Sequence, residues 1–149
     1  MSTIFSLSSL TVMPFWILMI FLPDWGWTKR ILSSPWVAAG AAIIYVALVL
    51  PQVSSILPAV INPDLNSISV LLGTPSGAAI AWVHFLAFDL FVGRWIYLDS
   101  RAQCINPIAI AAILFFTLML GPLGFFAYLI TRLFVKQNKL NTVNQASAA

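Results

Sequence analysis

Four apolar stretches, at residues 4–22, 36–57, 76–98 and 107–134, are each long enough to cross the hydrocarbon of a bilayer. Nothing else in the chain constrains its fold as strongly. Inside hydrocarbon every backbone N–H and C=O must find a partner within the protein, which selects helices for such stretches. The expected fold is all-α: an integral membrane four-helix bundle, with residues 1–135 as a single transmembrane domain and 136–149 as a flexible polar tail. Composition agrees, since only 7% of the residues are charged, where soluble domains carry about 25%.

The connections carry the signals expected at membrane interfaces. After the first stretch, which contains Pro14, come Trp25, Trp27, Lys29 and Arg30, amphipathic rings and cations that settle at the headgroup level. Ser33 or Ser34 caps the second span, whose start is rich in small residues, Ala38 to Ala42 around Gly40, suited to close helix packing. Its end brings Pro51, Gln52, Ser54 and Ser55, which either line a cavity or meet headgroups. The connection at residues 59–77 turns at Asn62-Pro63-Asp64 and then holds a short apolar segment that lies along the interface or folds back as a lid. Thr74-Pro75 starts the third span, and the short loop before Pro107 makes the third and fourth spans antiparallel neighbours. Gly121-Pro122-Leu123-Gly124 predicts a kink at mid-membrane. Basic residues divide almost evenly between the two faces; extra weight on the first helix places loops one and three inside.

Several function classes drop out. The seven basic residues are scattered over helix ends, so nucleic acid is not an expected partner. One histidine, one cysteine and four acids make no spaced metal-ligand set, and no cofactor is expected. Haem would have His84 as its sole histidine ligand. Cys104 has no second cysteine to pair with and reads as a small hydrophobe near a helix end.

The third span concentrates the chemistry, because His84, Asp89 and Arg94 interrupt it. Each ionisable group in hydrocarbon costs roughly 2.5–3.5 kcal/mol, which protein partners, water or a ligand must offset. On a helix Asp89 lies about 140° from His84, and Arg94 about 140° further, leaving His84 and Arg94 about 80° apart. Asp89 sits near mid-span with the other two roughly 7 Å to either side. Arg94 can snorkel and Asp89 cannot. Asp99 and Arg101 belong to the interface. This pattern suits proton handling in an apolar cavity, with a desolvated Asp89 as acid and His84 as base. The alternative is a buried Asp89–Arg94 pair that fixes helix packing, with His84 donating to a carbonyl. Aromatic faces suit a polyene or quinone, although most are packing or anchoring residues. Only one acid lies at depth, which argues against a two-carboxylate hydrolase.

Trp82-Val83-His84, Leu86, Asp89-Leu90-Phe91, Arg94 and Asp99, followed by Gly121-Pro122-Leu123-Gly124, resemble the small membrane protein family to which the plant abscisic-acid-deficient, neoxanthin-forming proteins belong. The resemblance runs over roughly residues 73–132, with looser similarity through the first two spans. It implies a multi-pass protein of a thylakoid or bacterial inner membrane, needed for making neoxanthin from violaxanthin by opening a 5,6-epoxide as an allene forms. Carried over, Asp89 is the acid or its relay, His84 the base or a hydroxyl-binding group, and Arg94 the residue that orients Asp89 or anchors a polar end group. The implied partners are an apolar isoprenoid or carotenoid ligand, the lipid bilayer, and a membrane protein partner or a second copy. No transit peptide is visible, which suggests a bacterial member of the family and another carotenoid or isoprenoid as substrate. The rival expectation is a noncatalytic pigment-binding or assembly protein.

Overall fold

A computed structural model describes residues 2–147, with side chains for residues 3–137. The described chain is all-α: α1 (Ser2–Phe21), α2 (Gly26–Ser33), α3 (Ala39–Val49), α4 (Val53–Ile61), α5 (Leu65–Leu72), α6 (Pro75–Ala102) and α7 (Pro107–Ser147), with 3-10 turns at Pro35–Ala38 and Leu50–Gln52. Four segments are long and apolar enough to cross a membrane, Thr3–Phe21, Pro35–Ile61, Pro75–Ala102 and Pro107–Gln137, as expected. The second is not one smooth helix: Pro51 has no N–H to donate, and the backbone tightens there into the second 3-10 turn. Helix α7 continues to Ser147, past the start of the expected tail, through residues with good helix propensity such as Lys136, Gln137 and Leu140.

Local chemistry sets the boundaries. Ser34 caps the first 3-10 turn, its Oγ accepting from Trp36 N–H, while Ser33 bonds back to the Arg30 carbonyl. Asp64 caps α5 by accepting from Asn66 and Ser67 N–H at 3.0 Å each. Hydrogen bonding from Ser67, then Asn66, holds its carboxyl below the usual carboxylate range. Thr74 Oγ1 donates to the Leu71 carbonyl and accepts from Gly77 N–H, ending α5 and starting α6 with one hydroxyl. Helix α6 closes in a Schellman motif: Ile105 N–H donates to Ser100, Cys104 N–H to Arg101, and Cys104 takes the left-handed conformation at φ 57°.

The chain divides into two compact units. The first comprises Met1–Phe15 and Ser34–Phe91. Its core is Leu48, Ile80 and Val83, with Ile4, Ile44, Tyr45, Val49 and Ile56 packed against it. The small-residue stretch works inside this unit, since Gly40 faces Thr11 of α1. Gln52 takes the cavity-versus-headgroup question in a third direction, bonding Ser76 of α6 from both ends of its amide (2.9 and 3.1 Å).

The second unit comprises Trp16–Ser33 and Val92–Ala149, with Trp16, Met19, Leu32, Ile96, Tyr97, Leu114 and Tyr128 buried. Gly93 passes against the Trp16 ring, where no side chain would fit. Tyr97 donates to the Pro23 carbonyl at 2.7 Å, and Arg101 pairs with Asp24. Trp25 and Trp27 are exposed, with the Arg30 guanidinium over the Trp27 ring.

The kink expected in the last span is sharper than a kink. Leu120 leaves the helical region (φ −142°, ψ 47°), two residues before Pro122, whose missing N–H frees the Leu118 carbonyl. Beyond it Phe125 meets Trp95, Tyr128 meets Trp95 and Asp99, and Arg132 meets Asp99. Numbers rise together on both helices, so the second half of α7 runs parallel to α6. The first half starts only a few residues after α6, so the chain turns back at Leu120 to bring Tyr128 and Arg132 to Asp99. Gly124 permits the turn, because a Cβ there would strike the backbone N and Oγ1 of Thr117.

Candidate functional site

The first unit contains a cavity of about 260 Å³ with apolar walls from Ile56 and Val60 of α4, Ile68, Leu71 and Leu72 of α5, and Ile80, Ala81 and Phe85 of α6. Helix α5 therefore folds back and forms one wall, the lid alternative for that segment. Two polar side chains reach the cavity, Tyr45 from α3 and His84 from α6. The imidazole stacks on Phe88 at 4.7 Å and tilts against the Tyr45 ring at 5.4 Å. Within the unit neither Tyr45 Oη nor a nitrogen of His84 has a hydrogen-bond partner among the described residues, and neither is sealed from its surroundings. Both remain available to a ligand.

The sequence trio does not converge on this cavity. Asp89 is half-buried further along α6 and is absent from the cavity walls. No residue of its unit carries a lysine or arginine, so within the unit Asp89 has no cation partner. Arg94 belongs to the second unit, where its Nε donates to the Leu32 carbonyl and Nη2 to the Ser33 carbonyl, each at 2.7 Å. Those are the last carbonyls of α2, which have no donor within their own helix. A cation at a helix C-terminus also meets the negative end of the helix dipole.

Sequence reasoning missed two groupings. Tyr45 carried no motif; its four-residue spacing from Val49 and Ala41 marks it only as one helix face. The second grouping is a carboxylate cluster: Asp99 accepts from Tyr128 Oη at 2.5 Å and from Arg132 Nε at 2.7 Å and Nη2 at 3.3 Å. This fork-like contact is the strong geometry for arginine and carboxylate. Tyr128 and Arg132 stand four apart on one face of α7, a detectable signal, but a straight α7 would carry them away from Asp99. The fold-back at Leu120 returns them. Among the described residues no three His, Cys, Asp or Glu side chains converge.

Comparison with known proteins adds a family. The family model described as ABA DEFICIENT 4-like matches residues 3–128, which include Tyr45, His84, Asp89, Arg94, Asp99 and Tyr128 and stop short of Arg132. Protein ABA DEFICIENT 4, chloroplastic, of Arabidopsis thaliana is 26% identical to the chain over 137 residues. That alignment covers 88% of this chain and 61% of the plant protein, so the chain spans about three fifths of its relative's length. No solved structure matches.

Proposed function

Since the chain belongs to the ABA DEFICIENT 4-like family, we propose that it is a multi-pass membrane protein of carotenoid metabolism that isomerises an epoxide-bearing xanthophyll or a related isoprenoid. The observation that carries this reading is the apolar cavity with His84 in its wall, on the same helix as the half-buried Asp89, in a unit without lysine or arginine. Opening an epoxide as an allene forms is a net isomerisation: the epoxide oxygen gains a proton as its C–O bond breaks, and a polyene carbon loses one. An acid and a base in a water-poor slot meet that need. His84 takes the polyene proton, and Asp89 supplies the other proton directly or through a relay. Arg94 holds the end of α2, a positioning role.

The test is a strain lacking the protein, complemented with variants, with pigments extracted and separated. Loss of one xanthophyll with accumulation of its precursor, restored by wild type and not by Asp89→Asn present at normal membrane abundance, is the expected result. An unchanged pigment profile sinks the proposal, and an active Asp89→Asn beside an unstable Asp89→Leu returns Asp89 to a packing role. One observation favours a second reading, a pigment holder without chemistry: Asp89 does not line the cavity. That reading predicts a copurifying carotenoid and no missing xanthophyll.

A further inference from the structure

The shape and chemistry of the first unit's cavity narrow what it takes. We infer that it seats the hydroxylated six-membered end ring of an isoprenoid, with Tyr45 and His84 bonding the hydroxyl and the rest of the chain leaving toward lipid; this rests on the carotenoid reading above. Volume is the first argument. An engineered cavity of about 150 Å³ takes benzene, so about 260 Å³ holds a ring with methyl groups and one polar substituent. A forty-carbon polyene does not fit, and the cavity is not enclosed, which lets the remainder pass.

Polarity is the second argument. The walls are aliphatic or aromatic except for Tyr45 and His84, whose rings lie 5.4 Å apart. Among the described residues of the unit Tyr45 Oη and the imidazole nitrogens have no partner, so a ring hydroxyl can donate to Tyr45 Oη and accept from the imidazole N–H, leaving the other ring nitrogen for the polyene proton. A carboxylate or phosphate headgroup would want a cation, and the first unit contains no lysine or arginine. An uncharged hydroxyl is the polar group that matches. Phe85 in the wall supplies a flat face for a ring, while Phe88 stacks on His84 at 4.7 Å. Ile68 and Leu71 of α5 close the other side.

Purified full-length protein in detergent, titrated with 3-hydroxy-β-ionone and with β-ionone and followed by tryptophan fluorescence, tests this. The hydroxylated ring should bind about tenfold more tightly, the yield of one to two neutral hydrogen bonds. Tyr45→Phe and His84→Leu should each shrink that preference several-fold while leaving β-ionone affinity unchanged. Ala81→Leu, which fills the cavity, should abolish both. Equal affinity for the two rings, no binding of either to folded protein, or a preference that survives both polar variants overturns the inference. Failure of the carotenoid reading looks different: pigment extracts of the deletion strain stay unchanged whatever the ring probes do.

Discussion

The last carbonyls of a short helix need donors, and for α2 the Arg94 guanidinium provides them at Leu32 and Ser33. Hydrogen bonds to a charged donor are worth about 1.5–3 kcal/mol, and their loss leaves carbonyls in a setting poor in water. Arg94→Leu should therefore lower stability by about 2 kcal/mol in detergent thermal unfolding, with faster hydrogen exchange in α2. Arg94→Lys should recover only part, because a point donor does not reproduce the planar fork. Unchanged stability with lost activity would remove the capping role and restore Arg94 to the reaction. Asp99 illustrates the complementary case, a carboxylate whose lone pairs are occupied by Tyr128 and Arg132 and which is therefore poorly placed to exchange protons.

Helix α7 is the element where one residue's backbone decides most. In a straight, exposed helix, replacing glycine by alanine stabilises by about 1 kcal/mol. At Gly124 the sign should reverse, since the added Cβ meets Thr117 backbone, which has no flexible end to move aside. Gly124→Ala should destabilise by roughly 1–3 kcal/mol, read as a drop in unfolding temperature. A stabilised Gly124→Ala protein would mean that α7 does not fold back. Helix α5 makes a milder point about elements: its cap at Asp64 and the Thr74 hydroxyl fix both ends, and only then can Ile68 and Leu71 serve as a cavity wall.

For the whole molecule, the fold-back changes the reading of topology. A straight fourth span divides the cations four against three, with Lys29, Arg30, Arg94 and Arg101 opposite Arg132, Lys136 and Lys139. Folded back, the second half of α7 returns to the end of α6, and all seven cations fall in the second unit. Under the positive-inside rule this grouping predicts that the polar end carrying Cys104 and Lys136 faces the cytoplasm. A membrane-impermeant maleimide should label the exposed Cys104, and Lys136→Cys in a Cys104→Ser background, from the same cytoplasmic side. Labelling of positions 104 and 136 from opposite sides would restore a straight fourth span.

The length and hydropathy of its apolar runs determined that this chain is helical, with four apolar segments of membrane length, because hydrocarbon leaves the backbone no other way to satisfy itself over such distances. Thr74-Pro75 and the Asn62-Pro63-Asp64 turn were equally legible, since caps and turns are local chemistry. His84 was legible as an ionisable interruption of the span, and its cavity was not, because Tyr45 and α5 reach it only through packing between segments distant in sequence. Pro122 announced a bend, but its size depended on Gly124 meeting Thr117 and on Asp99 holding Tyr128 and Arg132. The trio that interrupts the third span was visible as three costly residues. Which of them faces the cavity, and which caps a neighbouring helix, was decided by tertiary structure, because helical spacing fixes a side chain's angle and not what stands opposite it.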